Sequence, residues 1–208
     1  FGQALRRGGF LVFSYLITNL TLNIDRLVLE NLIGHLAVTQ YYVTSLIGKT
    51  LVLLVAPVNT IIISYLTRKQ ERMNRRQFLM FTGIGVAVSF VFFICAQIGT
   101  PIFVRLFYGD LYDSVKEMIT VVNLSQILGV LSAYLFIVVL TFTEEKWQLL
   151  LQIFHLVVIV ALVLIFTGRG GIMGFAEAVL IANTLRVAAV ILLGIIKAGK
   201  NQQAENNI

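Results

Sequence analysis

The sequence predicts an all-α, polytopic membrane protein with six transmembrane helices. Its 208 residues have a mean hydropathy of +0.91. Hydrophobic residues make up 58% of the chain and charged residues only 12%, about half the charged share of a soluble domain. The apolar residues form six stretches of roughly 20 residues or more, the length that a helix needs to cross a hydrocarbon core. The Lys and Arg residues between these stretches fall almost entirely on alternate sides.

The six predicted spans follow one another through short connections. They cover residues 10–36, 41–66, 78–98, 115–142, 147–166 and 172–197. Residues 1–9 form a connector that enters the first span, and residues 198–208 form a polar tail. The first stretch is too long for the apolar core of a cleavable signal peptide, so we interpret it as a true span. Helices satisfy their own backbone hydrogen bonds, which allows each span to face lipid.

Positive charge predicts the orientation. Ten Lys and Arg residues lie on one side of the spans: Arg6, Arg7, Arg68, Lys69, Arg72, Arg75, Arg76, Lys146, Lys197 and Lys200. Only Arg105, Lys116 and Arg169 lie on the other side. Because the excess of Lys and Arg stays in the cytoplasm when loops are short, we expect a multi-pass protein of the cell membrane with both termini in the cytoplasm.

The first span carries two polar stripes that repeat every three or four residues. One contains Ser14, Thr18, Thr21 and Asp25, and the other contains Asn19, Asn23, Arg26 and Glu30. These spacings align side chains along a helix. About a third of this helix surface is therefore polar and unsuited to lipid, which predicts that it lines a bundle interior or an aqueous cavity.

The second span also has a polar face. It includes Tyr41, Thr44, Ser45, Gly48, Lys49, Ala56, Asn59, Thr60 and Ser64. Small and hydroxyl residues allow helices to approach and to hydrogen-bond across an interface, so this face fits either helix packing or a cavity wall. Pro57 lies in the middle of the span and predicts a kink.

Charged groups within the spans are the first candidates for function. Translocon scales put a charge at the centre of a helix at about 2.5–3.5 kcal/mol. Arg186 lies near the middle of the sixth span and is a candidate for a functional cavity. Lys49 is a second candidate, although a long Lys side chain can also reach the interface. Asp25 and Arg26 either neutralise a partner or line the cavity.

Two further titratable residues are candidates for proton or ion coupling. His155 lies about eight residues into the fifth span, where it is either a coupling group or a hydrogen-bonded structural histidine. Glu177 enters the last span and could pair with a neighbouring helix or, after packing, with Arg186. His35 has no companion at metal-ligand spacing, so we interpret it as a loop residue.

The sequence lacks the motifs that are typical of several other classes of protein. We find no catalytic motif for an enzyme and predict no catalytic residues, metal or cofactor. Cys95 is alone, which excludes an intramolecular disulfide. The net charge of +6 comes mainly from a short connection and has no nucleic-acid recognition motif beside it. We interpret those cations as topology determinants that contact membrane lipids. Residues 167–171 (TGRGG) predict a tight turn.

Two segments carry a family resemblance. Residues 23–29 (NIDRLVL), followed by residues 32–34 (LIG) and Tyr41-Tyr42, place an acid-base pair near the end of one helix and a tyrosine at the start of the next. Residues 101–112 (PIFVRLFYGDLY) place a proline, a short amphipathic run, a glycine and a tyrosine before the fourth span. The chain resembles the multidrug, oligosaccharidyl-lipid and polysaccharide exporter superfamily, in particular its polysaccharide flippase branch, which includes O-antigen flippases.

The resemblance implies one lobe of a two-lobe exporter fold. Members of this superfamily have two six-helix lobes around a cavity that opens alternately to each side. The orientation of this chain suits the C-terminal lobe, with a missing N-terminal lobe or a second copy of the chain as partner. Because the sequence begins at Phe1, we expect a fragment of a larger transporter rather than a half-size protein that dimerises.

Pro101 predicts the end of the third span. Proline lacks a backbone N–H and disfavours helix at the preceding residue, so we expect this span to end near Gly99. Residues 102–108 would then lie along the outer interface, with Phe103, Leu106 and Phe107 turned inward and Arg105 facing headgroups.

The implied activity is outward movement of a lipid-linked oligosaccharide or polysaccharide precursor for cell-surface polysaccharide biosynthesis. The cations Arg186, Lys49 and Arg26 would bind its pyrophosphate, with Asp25 beside them. Asparagine side chains at Asn19, Asn23 and Asn59 would meet sugar hydroxyls. The alternatives are a multidrug or cation antiporter of the same superfamily, a membrane-embedded glycan-processing enzyme, and an accessory subunit.

Overall fold

The computed structural model describes residues 12, 16–17, 20–21, 23–69 and 73–206, and this part of the chain contains helices and no strand. Six helices follow in order: α1 (Ile24–Leu32), α2 (His35–Lys69), α3 (Arg75–Phe107), α4 (Gly109–Val115), α5 (Ile119–Leu140) and α6 (Glu145–Asn206). Among the described residues, three segments are long and apolar enough to cross a membrane: Arg75–Phe107, Ile119–Leu140 and Leu149–Gly199. The fold is all-helical, as predicted, and its composition suits a membrane protein.

Helix α6 is a hairpin with two arms, residues 145–170 and 172–206. Gly171 breaks the helix with φ 57° and ψ −137°, a backbone conformation that glycine tolerates best. Gly174 lies so close to the first arm that a Cβ there would collide with the carbonyl oxygen of Phe166. At the far end, the Lys197 ammonium lies 4.4 Å from the ring centroid of Trp147. The two arms therefore run antiparallel along their length.

The predicted turn at residues 167–171 is in the right place but too wide. Helix continues through Gly170 and resumes directly after Gly171. A single non-helical residue, Gly171, is enough for the reversal. Because Gly174 has no side chain, the two arms can approach closely next to it. Helix also extends beyond the predicted spans, from Glu145 at one end to Asn206 at the other.

Helix α3 corrects the expectation for Pro101. The helix does not end near Gly99 but continues through Pro101 to Phe107, so residues 102–108 are not a separate interfacial run. Neighbouring groups stabilise this stretch, as they do around proline in membrane helices. Val104 is fully buried, and the Asn123 amide donates to the carbonyl oxygen of Ala96, 3.1 Å away.

The side chains beyond Pro101 also differ from the expectation. Phe103 packs against the core, but Leu106 and Phe107 are 72% and 65% exposed. The Arg105 guanidinium donates to the Tyr112 hydroxyl at 2.8 Å and lies 4.2 Å from the Tyr112 ring centroid. Arg105 therefore joins the end of α3 to α4.

The predicted fourth span begins too early. Val115 ends the short helix α4, and residues 116–118 form a turn before α5 begins at Ile119. Lys116 and Glu117 are exposed in this turn, which keeps two charged residues out of the buried helix. Lys116 pairs with Asp113 at 3.0 Å.

Residues 10–11, 13–15, 18–19 and 22 of the first predicted span lie outside the described residues, and α1 begins at Ile24 in the second half of that span. Helix α1 ends at Leu32, four residues before the predicted end. Gly34 turns the chain with φ 115°, which glycine permits. His35, predicted as a loop residue, instead begins α2. Pro57 lies inside α2, which is continuous from His35 to Lys69.

Helix α5 lies at the centre of the bundle, and its polar residues contact three different elements. Asn123 bonds to α3 through Ala96 and to the Gln97 side chain at 2.9 Å. Ser125 accepts from Asn183 on the second arm of α6, and Gln126 lies 3.5 Å from the Tyr41 hydroxyl on α2. Because these hydrogen bonds link α5 to α2, α3 and α6, helix α5 fixes how those three helices are positioned along one another.

The exposed face of α3 is apolar along its length. It carries Met80, Ile84, Val88, Val91, Ile98 and Ile102, each 45–60% exposed. An apolar face of this extent on a membrane helix is typical of contact with lipid.

Candidate functional site

One group of charged side chains connects α1 and α2; we call Asp25, Arg26, Tyr42 and Lys49 the Asp25 cluster. The Lys49 ammonium lies 2.5 Å from a carboxylate oxygen of Asp25. The other oxygen of Asp25 accepts from the backbone N–H of Arg26 at 3.0 Å. Asp25 is only 7% exposed, while the Lys49 side chain is 32% exposed. The two charges therefore neutralise each other at the edge of the bundle.

Tyr42 adds an aromatic surface to this cluster. Its ring centroid lies 5.8 Å from the Arg26 guanidinium carbon and 5.7 Å from the Lys49 ammonium. Both distances are within cation–π range. Arg26 is exposed and Tyr42 is 37% exposed, so a cation and an aromatic ring face outward together. Exposed aromatic rings and guanidinium groups suit sugars and phosphates respectively.

The cluster continues into a stripe along α2. Its members are Tyr42, Lys49, Thr50, Leu53, Pro57, Thr60 and Ser64, all exposed or half-buried. The separations of three, four or seven residues place them on one helix face. Thr50 donates to the carbonyl oxygen of Leu46 at 2.9 Å. We call this surface the α2 stripe, and it differs from the uniformly apolar face of α3.

A second group of polar side chains lies between α5 and the two arms of α6; we call Gln152, His155, Asn183 and Arg186 the His155 cluster. His155 is 2% exposed, Gln152 6% and Asn183 8%. The Asn183 amide donates to the Ser125 carbonyl oxygen at 2.9 Å. Neither ring nitrogen of His155 has a hydrogen-bond partner within the described part of the chain.

Arg186 faces the same interior from the second arm. It is half-buried and lies three residues after Asn183, on the same face of the second arm. Asn183 lies beside the imidazole, and its amide N–H donates to Ser125. The structure thus brings Lys49 and Arg26 together around Tyr42, while Arg186 and His155 lie on opposite arms of the hairpin.

Glu177 lies at the turn of the hairpin, apart from both clusters. It is exposed and lines a cavity of about 270 Å³ with Arg169, Phe166 and Gly174. The predicted coupling residues His155 and Glu177 are therefore not neighbours: one is buried among the arms, and the other is at their tip.

The structure adds little about the three asparagines that were predicted to meet sugar hydroxyls. Asn19 and the side chain of Asn59 lie outside the described residues. Asn23 directly precedes α1 and is exposed, but its side chain makes no capping hydrogen bond.

Sequence reasoning missed Tyr42, Gln152 and Asn183. Sequence spacing could have identified Gln152 and Asn183. Gln152 lies three residues from His155, and Asn183 lies three residues from Arg186, which places each pair on one helix face. Tyr42 gives no comparable signal, because its contact with the two cations depends on how α1 packs against α2.

The described residues contain no group of three or more His, Cys, Asp or Glu side chains that could hold a metal ion. The two clusters contain cations, amides, a tyrosine, one buried imidazole and one carboxylate, Asp25, which is paired with Lys49. This set of groups binds anions and hydroxylated ligands. No family model, curated protein or solved structure matches this chain.

Proposed function

We propose that this chain is a six-helix lobe of a flippase that moves a lipid-linked oligosaccharide or polysaccharide precursor across the cell membrane by alternating access. The observation that carries the proposal is the contrast between two exposed helix faces. The face of α3 is wholly apolar, whereas the α2 stripe includes Lys49, Thr50, Thr60 and Ser64 and ends at Arg26 and Tyr42.

A surface of this kind is poorly suited to lipid. Polar and ionisable residues within membrane spans face a bundle interior or an aqueous cavity. In this proposal the α2 stripe forms one wall of the transport cavity, and a second lobe forms the other. That lobe is an N-terminal half of the same protein or a second copy of this chain.

The chemistry of the Asp25 cluster suits a lipid-linked saccharide. Arg26 provides a planar guanidinium for a phosphate, and Tyr42 provides a ring on which a sugar can stack. Lys49 is mainly occupied by Asp25 at 2.5 Å. Arg26 is therefore the principal phosphate-binding residue of this wall, and the lipid tail stays outside between helices.

Membrane potential supplies a driving force for this movement. If about two negative charges cross to the outside at roughly 100 mV, inside negative, the potential contributes about 4.6 kcal/mol. Outward movement of an anionic substrate needs no nucleotide in this scheme. The same proposal includes six membrane crossings, and it places both termini in the cytoplasm.

The test uses the intact protein that contains this chain, reconstituted in vesicles with a fluorescent lipid-linked diphosphate oligosaccharide. Transfer between leaflets is measured by enzymatic access to the sugar from one side. We expect Arg26→Gln to slow transfer at least about tenfold, the loss of one charge-assisted hydrogen bond of about 1.5–3 kcal/mol. Lys146→Gln removes an exposed cation far from the α2 stripe and should leave transfer unchanged. Absence of transfer by the unaltered protein would refute the proposal.

Asp25 favours a second candidate, a cation antiporter, because a buried carboxylate in a membrane helix can exchange Na⁺ or H⁺. Its pairing with Lys49 disfavours that role, since the ammonium already occupies the cation position. Drug or Na⁺ efflux driven by a cation gradient, lost in Asp25→Asn while saccharide transfer persists, would reverse the ranking.

A further inference from the structure

We propose that the cavity at the tip of the α6 hairpin binds the phosphoethanolamine headgroup of a phospholipid, with Arg169 holding the phosphate and Glu177 holding the ammonium. None of the residues that line this cavity belongs to the Asp25 cluster, the α2 stripe or the His155 cluster. The inference goes beyond the proposed function and does not rest on it, because it requires only that the hairpin crosses a membrane.

The hairpin places this cavity at the depth of lipid headgroups. At about 1.5 Å per residue, the first arm (residues 145–170) is roughly 39 Å long, whereas the hydrocarbon core of a bilayer is about 30 Å thick. Arg169 precedes Gly171 by two residues and Glu177 follows it by six, so both lie within roughly 9 Å of the turn along the helix axis. When the arms cross a membrane, these two residues are near its surface.

The cavity combines one cation and one anion with apolar walls. Its volume is about 270 Å³, and it is lined by Ile165, Phe166, Arg169, Gly170, Gly174 and Glu177. Within the described part of the chain, neither Arg169 nor Glu177 forms a hydrogen bond or an ion pair. Two opposite charges that line one cavity without pairing complement a ligand that carries both charges.

The donor and acceptor chemistry selects a phosphate and a primary amine. The planar guanidinium of Arg169 matches phosphate oxygens, and the carboxylate of Glu177 accepts from an ammonium group. An anionic headgroup with glycerol in place of the amine leaves Glu177 without a cation. A quaternary ammonium has no N–H to donate and is typically bound by several aromatic rings, whereas the lining contains a single ring, that of Phe166.

The size and the surroundings of the cavity suit a lipid headgroup. Its volume is just below the roughly 300–1,000 Å³ of pockets that take drug-sized ligands, so it has room for a small group rather than for a whole lipid. Leu164 and Ile165, on the side of the cavity away from the turn, are 55% and 51% exposed. Exposed apolar side chains on a membrane helix are suited to acyl chains, so the headgroup and its chains have adjoining surfaces.

Stabilisation of the helix ends does not explain both charges. Arg169 is in the last turn of the first arm, where a cation complements the helix dipole. Glu177 is the sixth residue after Gly171, beyond the first turn of the second arm, where the effect of the dipole has faded. A role in stability would also be indifferent to which phospholipid is present, whereas headgroup binding produces a preference among lipids.

The experiment measures that preference by native mass spectrometry of the intact protein that contains this chain. The protein is delipidated in detergent and titrated with short-chain phosphatidylethanolamine, phosphatidylcholine or phosphatidylglycerol. We expect phosphatidylethanolamine to bind about five- to tenfold more tightly than the other two, less than for a buried charge-assisted hydrogen bond because both side chains are exposed.

Charge variants separate the two halves of the headgroup. Glu177→Gln should remove the preference for ethanolamine over glycerol, and Arg169→Gln should weaken the binding of all three lipids. Glu144→Gln and Lys146→Gln are the matched controls, since these exposed residues pair with each other at the opposite end of the hairpin. Both controls should keep the preference of the unaltered protein.

Two exposed glycines give a steric test that leaves the charges in place. Gly170 lines the cavity and Gly168 does not, while an added Cβ meets nothing within 4 Å at either position. Gly170→Leu should fill part of the cavity and lower the affinity for phosphatidylethanolamine to that for phosphatidylcholine. Gly168→Leu should leave the preference unchanged. Leucine favours helix over glycine, so both variants should fold, which thermal unfolding checks.

Equal affinity of the unaltered protein for the three lipids would overturn the inference, as would a preference for phosphatidylethanolamine that persists in both Glu177→Gln and Gly170→Leu. Soluble phosphoethanolamine is the remaining probe. If it binds as tightly as the lipid, the ligand is a soluble zwitterion and the assignment to a phospholipid is wrong. Failure of saccharide transfer, with the lipid preference intact, would refute the proposed function and leave this site standing.

Discussion

At the scale of single residues, the charges inside this bundle are stabilised in different ways. Asp25 and Lys49, 24 residues apart in sequence, form a direct ion pair between two helices. Arg186 forms no ion pair among the described residues. A paired charge is mainly structural, whereas an unpaired one is available to a ligand. From the sequence alone, Asp25, Lys49 and Arg186 are all charges that are energetically costly inside a membrane. The sequence does not distinguish the paired charges from the unpaired one.

The Asp25–Lys49 pair gives a stability prediction. Lys49→Met removes the ammonium and leaves the carboxylate of Asp25 buried and unpaired. We expect a loss of about 1–3 kcal/mol, below the range for a fully buried pair, because Lys49 is 32% exposed. The measurement is the thermal unfolding midpoint in detergent. The double variant Asp25→Asn/Lys49→Met should be more stable than Lys49→Met alone, and equal stability of the two would argue against a significant ion pair.

At the scale of elements, the α6 hairpin depends on glycine at two positions for two reasons. Gly171 supplies a backbone conformation with positive φ and strongly negative ψ, which a residue with a Cβ rarely adopts. Gly174 supplies space, because a Cβ there would meet the Phe166 carbonyl oxygen. The Gly-rich sequence indicated the turn, but only the folded backbone distinguishes Gly171, with its positive φ, and the closely packed Gly174 from Gly168 and Gly170, which are helical and face open space.

Substitution at the turn tests this distinction. Gly171→Ala should destabilise the protein by about 1–3 kcal/mol, the usual cost of such backbone strain. Gly168→Ala is the control: it lies in regular helix with nothing within 4 Å, so it should be neutral or stabilise by up to about 1 kcal/mol. Thermal unfolding compares the two. Similar midpoints for both variants would show that the reversal at Gly171 places no demand on the backbone.

At the scale of the whole molecule, α5 is the central helix and the exposed faces of α2 and α3 differ. The outer wall on α3 is apolar, whereas the wall on α2 mixes the polar residues Lys49, Thr50, Thr60 and Ser64 with exposed Leu53 and Ile61. Polar residues of α5 reach three neighbouring elements, so this helix connects the two walls to the hairpin. In the proposed transporter, the lobe moves as one packed unit, and the α2 stripe is its surface toward the cavity.

The charge distribution gives a topology prediction for intact cells. In a Cys95→Ala background, Asp110→Cys and Gly168→Cys should react with a membrane-impermeant maleimide added outside, since they lie beside the side with three cations. Asn74→Cys and Thr143→Cys should react only after permeabilisation, because they lie beside the side with ten cations. Labelling is read by mass shift on a gel. The reverse pattern would invert the proposed orientation, and labelling of all four from outside would contradict a membrane topology of this kind.

Much of the architecture is predictable because hydropathy and glycine act locally. The apolar stretches predict helices at nearly their observed places, and the TGRGG segment predicts the hairpin turn. The error at Pro101 has a tertiary cause: Val104, beyond the proline, is fully buried in the bundle, and this packing favours continued helix over a residue that disfavours it. The error at Val115 has a similar cause, because the short helix α4 packs separately before the charged turn.

The sequence by itself determined that this chain is helical and apolar, and where its costly charges are. Only the tertiary structure decided which of those charges meet. Asp25 pairs with Lys49 and Asn183 bonds to Ser125 because helices that are distant in sequence pack against each other. A side chain's partner across such an interface depends on helix rotation and depth. Hydrophobic periodicity fixes which face is buried, but it does not fix which residue lies opposite.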